Sequence, residues 1–192
     1  PLIVLDDADP EVAINTGLSA FLFHQGQICL SGTRLFVPRK MQEALVSGMI
    51  EKIKLLKIGD PLDPLTDQGP LASQAQLNTV MRYVETGKKE GAALACGGNR
   101  LSGPEYDRGF FFEPTIFMNC NNRMTQVREE IFGPVQCVIP YDDEEEALAM
   151  ANDTIYGLAG GIVSTNVARA QKLATRIRTG MVVDFLDFYI EA

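Results

Sequence analysis

"TRLFVPRKMQEALVSGMIEKIKLLKI", residues 33–58, holds the pattern on which the fold turns. Its opening residues, 33–37, mix β-branched, aromatic and aliphatic side chains and read as a strand. Pro38 suits the first turn of a helix, where a backbone N–H would have no intrahelical acceptor. Met41, Leu45, Met49, Ile53 and Leu56 then recur close to the 3.6-residue period, so helix is expected over 38–58.

Working outward, the same alternation continues in both directions. Upstream, "DDADPEVAINTGLSAFLFHQGQ" (6–27) begins with turn residues and becomes a helix with Val12, Leu18 and Leu22 on an apolar face, ended by Gly26. Downstream, a Pro/Gly/Asp loop (59–73) leads to a helix (74–91) and a short strand (92–96). After a polar stretch, "FFFEPTIF" (110–117) is β-like and "PVQCVIPY" (134–141) is a strand of the buried type. Acids crowd the first turn of "DDEEEALAMANDT" (142–154), where they complement a helix dipole. Strand (158–164), helix (166–178) and strand (180–185) follow, and "LDFYIEA" (186–192) fits no element. Strands alternating with helices specify an α/β chain with at least a partly parallel sheet.

Net charge −8 and a pI of about 4.7 disfavour nucleic acid or an anionic membrane as partner, since both need clustered Lys/Arg. No apolar run reaches a membrane span, and no signal peptide opens the chain. Cys29, Cys96, Cys120 and Cys137 are widely spaced, with His24 the one histidine, so neither a metal site nor a disulfide framework is expected. This cysteine usage points to a reducing, cytoplasmic compartment.

Three stretches could carry chemistry. In "FHQGQICLSGTRLFV" (23–37), Cys29 follows a helix-breaking turn, positioned by structure yet reachable. It is either a nucleophile, which needs its thiolate favoured by backbone donors, a helix terminus or a base, or a small buried hydrophobe. Gly26 would let the backbone come close to a substrate. In "REEIFGPV" (128–135), the acids Glu129 and Glu130 could accept from sugar hydroxyls and Phe132 could wall a planar ring; a solvated acidic turn closed by Gly-Pro is the alternative. The glycines of "YGLAGGIVST" (156–165) could admit a ligand or a closely packed element, but they do not form a phosphate-binding fingerprint. His24 reads as a helix-end packing residue, and the other three cysteines as structural.

Together these stretches resemble the aldehyde dehydrogenase superfamily, in its catalytic domain. "FHQGQICLSGTRLFV" is similar to the family's active-site cysteine segment, with Gly26, Gln27, Cys29 and Arg34 at the expected spacing. "EEIFGPV" (129–135) and "ANDTIYGLAGGIVS" (151–164) resemble two further blocks in the right order. "GDPLDPLTDQGPL" (59–71), "EGAALACGGNR" (90–100) and "PLIVLDDADPEVAI" (1–14) resemble connecting pieces. "SGTR", "GDPLDP" and "REEIFGPV" lean toward betaine (amino) aldehyde dehydrogenases.

The resemblance implies a sheet flanked by helices and a residue-by-residue division of labour. Cys29 would attack an aldehyde carbonyl, giving a thiohemiacetal and then a thioester on the way to a carboxylic acid. Glu130 would bind the nicotinamide ribose of NAD or NADP, and Phe132 would contact the ring. Backbone N–H groups, Cys29's own included, would hold the oxyanion together with an asparagine. The partners implied are a small-molecule aldehyde and, from the family's habit, further copies of the chain. The family's general-base glutamate belongs to a motif preceding Pro1, and its dinucleotide-binding domain has no counterpart in these residues. Residues 1–182 are therefore expected to be a catalytic domain truncated at both ends, with 183–192 a divergent tail. Two alternatives accompany this reading: a catalytically incompetent folding or interaction module, and a remnant that hydrolyses thioesters or esters.

Overall fold

The computed structural model describes residues 1–185, with the side chains of 1–183. Among the described residues seven strands form one sheet: β1 (Leu2–Val4), β2 (Arg34–Pro38), β3 (Ala93–Cys96), β4 (Thr115–Met118), β5 (Val135–Tyr141), β6 (Ala159–Val163) and β7 (Met181–Phe185). Their spatial order is β3-β4-β5-β2-β1-β6-β7. β3 pairs antiparallel with β4, and every other neighbouring pair is parallel. The described residues also form six α-helices: α1 (Pro10–Leu22), α2 (Gln42–Ile53), α3 (Gln74–Lys89), α4 (Thr125–Arg128), α5 (Glu144–Asn152) and α6 (Val167–Ala174). The expected α/β class, a mainly parallel sheet between helices, is the one observed.

Side-chain alternation along the strands divides the core into two layers. Leu2, Val4, Leu35, Val37, Val138 and Val163 point to the face covered by α1 and α2. Ile3, Phe36, Phe117, Cys137, Ile139 and Ile162 point to the opposite face, covered by α3, α5 and α6. Both faces of β1, β2 and β5 are sealed, which is why those strands read as continuous apolar runs rather than alternating ones. Side-chain caps start the helices: Asp9, Ser73, Asp143 and Asn166 each accept from a first-turn backbone N–H of α1, α3, α5 and α6.

Three elements differ from the sequence reading. Pro38 ends β2, opposite Tyr141, and a single 3-10 turn (Arg39–Met41) intervenes before α2 starts at Gln42. At its other end α2 stops at Ile53 rather than running to 58. Asp67 accepts from the Lys57 N–H at 2.7 Å, and the Lys57 carbonyl accepts from Asp67 and Gln68, so the chain is drawn into a bridge with the 59–73 loop. Within 110–117, regular strand begins only after Pro114; Phe112 makes a lone antiparallel bridge with Arg100. β1 carries no signal of its own, since a four-residue apolar run has no period to read, yet it lies between β2 and β6. The terminal stretch 186–192 lies outside the described residues.

Candidate active site

Three loops that enter parallel strands meet at one edge of the sheet. Residues 23–33 lead into β2, 129–134 into β5 and 153–158 into β6, and β1 lies between β2 and β6. This is the amino-terminal edge of the strands. Ligands of open α/β sheets more often bind at the carboxyl edge.

The cysteine turn is shaped by three consecutive left-handed residues after α1: His24 (φ 48°), Gln25 (φ 57°) and Gly26 (φ 68°). They reverse the chain, and Gln27 N–H to His24 O (3.0 Å), Ser31 N–H to Ile28 O (3.1 Å) and Gly32 N–H to Ala20 O (2.9 Å) close the turn. Gln27 ties it outward, its Oε1 accepting from Ala72 N–H at 2.9 Å. The Cys29 side chain is exposed at the tip. The other three sulfurs each donate to a main-chain carbonyl, of Pro114, Met118 and Gln126. Burial raises the Cys96 thiol pKa, and the neighbouring Cys120 thiol followed by burial raises that of Cys137, as suits structural cysteines. The Cys29 N–H has no acceptor among the described residues, so a free backbone donor sits beside an exposed thiol. His24 is exposed past the helix end, its ring edge-on to Phe23 with centroids 4.7 Å apart.

Gly26 has a different task from the one expected of it. A Cβ there would lie 2.1 Å from the Gly133 carbonyl oxygen and 2.9 Å from that of Phe21. Its bare backbone makes room for the 129–134 loop, not for a substrate. The glycines of 156–165 likewise serve close packing: a Cβ on Gly160 would meet Ile177 and Thr179, and one on Gly157 the Arg178 carbonyl.

In the second loop, Phe132 has φ 56° and 38% exposure. Glu129 accepts from the Tyr83 hydroxyl at 2.6 Å, and this bond raises the Tyr83 pKa. Glu130 is exposed and has no hydrogen-bond partner among the described residues.

Cys29, Arg34, Glu129, Glu130, Thr154 and Tyr156 are among the walls of one cavity of about 210 Å³. The structure thus brings Cys29 and Glu130 to the same space, and Phe132 is not one of its walls. Thr154 and Tyr156 lie in the 151–164 stretch quoted above but were not singled out there, and the pairing of β6 beside β1 places them at the cavity. Arg34 works structurally: its guanidinium donates to Met150 O (2.7 Å), Ala151 O (3.2 Å) and Asn122 Oδ1 (3.2 Å), closing the carboxyl end of α5. Two roomier clefts, about 620 and 590 Å³, hold none of the expected residues. The larger lies at the carboxyl edge among ion pairs, Arg39–Asp142 and Arg169–Asp6, both at 2.7 Å. Among the described residues no group of three His, Cys, Asp or Glu is arranged to hold a metal, and no helix is long and apolar enough to cross a membrane.

The fold of this sheet is shared with known proteins. The aldehyde dehydrogenase family model matches residues 1–184, and the chain belongs to that family. The betaine aldehyde dehydrogenase of Brucella anthropi is 45% identical over 180 residues, 94% of this chain and 37% of that protein. Betaine aldehyde dehydrogenase from Staphylococcus aureus, solved in complex with NAD+, superimposes with a TM-score of 0.94 at 39% identity, covering 98% of this chain and 37% of the other. An aldehyde dehydrogenase of Mycobacterium tuberculosis, also complexed with NAD+, gives 0.92 at 40% identity over 98% and 38%. The chain therefore spans less than two-fifths of the length of each of these relatives.

Proposed function

We propose that this chain is the cysteine-bearing catalytic domain, over residues 1–182, of an NAD(P)-dependent aldehyde dehydrogenase, with betaine aldehyde or a related amino aldehyde as substrate. The observation that carries the reading is Cys29: an exposed thiol in a cavity shared with the carboxylate Glu130, its own backbone N–H and that carboxylate both without a partner among the described residues. The relatives named above supply the substrate class.

Cys29, as thiolate, adds to the aldehyde carbonyl carbon; a C–S bond forms and the carbonyl π pair moves to oxygen. The Cys29 N–H is placed to donate to that oxyanion as its charge develops. The residues present fit the nicotinamide end of the cofactor: Glu130 has acceptor oxygens free for ribose hydroxyls, and Phe132 offers an exposed ring. When bound, NAD(P)+ supplies the two-electron acceptor that the oxidation to a thioester needs. Water then cleaves the C–S bond, releasing the acid and restoring the thiol. Glu129 accepts from the Tyr83 hydroxyl through one of its two oxygens.

Alkylation by iodoacetamide followed by peptide mass spectrometry tests the nucleophile. Cys29 should react at least about tenfold faster than Cys96, Cys120 or Cys137, since reactivity follows exposure and thiolate access. Equal rates in the folded chain would refute its role. NADH formation at 340 nm with betaine aldehyde, compared with Cys29→Ala, tests the full reaction. Turnover that survives the substitution would refute the mechanism.

A further inference from the structure

One face of α3 holds the 129–133 loop by three contacts. Gln76, Val80 and Tyr83 follow at i, i+4 and i+7, so they share a stripe of the helix. Gln76 Nε2 donates to the carbonyls of both Ile131 and Phe132, each at 2.8 Å. Val80 presses on the loop so closely that a Cβ on Gly133 would lie 2.4 Å from its Cγ2. Tyr83 donates to Glu129 at 2.6 Å. Between these contacts, Phe132 is kept in the left-handed region at φ 56°, a conformation that a phenylalanine adopts only when its surroundings over-determine it. Of the two neighbouring carboxylates, Glu129 gives one oxygen to the hydroxyl, and Glu130 has no hydrogen-bond partner among the described residues.

We propose that Gln76 and Tyr83 are positioning residues, through which α3 sets the backbone of the 129–133 loop, anchoring Glu129 and leaving Glu130 as the carboxylate with both oxygens available. The consequence for cofactor rests on the reading of Glu130 and Phe132 given above; the positioning itself does not. Gln76 also accounts for the unusual backbone: two donors from one amide group, aimed at successive carbonyls, require those carbonyls to point the same way. An extended chain would point them to opposite sides. The same stretch of chain steadies the cysteine turn, because Gln27 accepts from Ala72, four residues before Gln76. The amino-terminal end of α3 is therefore a common bracket for the two loops that meet at Gly26 and Gly133.

The sequence contains no tryptophan, so Phe132→Trp gives a single tryptophan on the loop, excited selectively at the red edge beyond tyrosine absorption. It would be made in the parent chain, in Gln76→Met, which keeps length and loses the donors, and in Tyr83→Phe, which keeps the buried ring and loses the hydroxyl. Fluorescence anisotropy and quenching by nicotinamide mononucleotide would be measured, with unfolding midpoints as the control for general damage. Lower anisotropy in both variants at a near-parental midpoint, with half-saturation by the mononucleotide raised about fivefold or more, is the expected result. Lower anisotropy without quenching in any background would uphold the positioning and overturn the cofactor-contact reading. Anisotropy and half-saturation unchanged from the parent in both variants would overturn the proposal.

Discussion

Replacing Gly26 by alanine tests the contact that joins the two loops. The added Cβ would stand 2.1 Å from the Gly133 carbonyl oxygen, 2.5 Å from its carbon and 2.9 Å from the Phe21 oxygen. All three are backbone atoms, so no rotamer change can make room. Holding alanine at φ 68° costs roughly 1–2 kcal/mol. Overpacking adds about 1–3 kcal/mol. A loss near 3 kcal/mol corresponds, for a chain of this size, to a Tm lowered by about 6–12 °C. Gly91→Ala is the internal control: it also sits at positive φ, 87°, but a Cβ there meets nothing within 4 Å. It should show the conformational part alone, about 1–2 kcal/mol. Urea unfolding monitored by circular dichroism gives both values, provided the slope m stays the same in the two variants. If Gly26→Ala costs no more than Gly91→Ala, the loops do not abut as described and the assembly of the site at this edge is wrong.

Arg34→Ala should destabilise by about 2–4 kcal/mol, because charge-assisted bonds to two carbonyls of α5 and to Asn122 are lost together; thermal unfolding would show it. Arg34→Lys should recover only part of this, since one ammonium cannot reproduce the planar fork, and full recovery would count against the geometry. Tyr141→Phe removes the hydroxyl that donates to Val4 O at 2.7 Å and should cost about 1–3 kcal/mol at neutral pH. Burial, followed by the nearby Asp6 charge, raises the Tyr141 pKa in the folded state. Its contribution is therefore fully present below the unfolded tyrosine value of about 10 and lost as pH rises through the folded one. Stability measured from pH 9 upward should fall less steeply in Tyr141→Phe than in the parent, and identical slopes would contradict the assignment.

Local order along the chain was legible from residue types. The period of Leu45 and Met49 marks α2, the apolar run within 134–141 marks β5, and the acids that open 142–154 mark the start of α5, because each signal depends on neighbours a few residues away. The cysteine after a helix break and the acidic Phe-Gly-Pro turn were legible for the same reason, while the exposure of that cysteine was not. What they do to each other was not. Gly26 looked like room for a ligand and proved to be room for Gly133, a partner more than a hundred residues away. Arg34 stood inside the cysteine motif, and it closes α5. Gln76 and Tyr83 looked like ordinary positions on an amphipathic helix.

By itself, then, the sequence determined most of the strands and helices, β1 excepted, the α/β class, and the cysteine and carboxylates that line the candidate cavity. Tertiary structure alone decided where these meet. The insertion of β5 beside β2 and of β6 beside β1 carries three separate loops to the amino edge of one sheet. The physical reason is range: hydrophobic period and turn chemistry act over a few residues. Strand order and the approach of one backbone to another depend on burying both faces of the whole sheet at once.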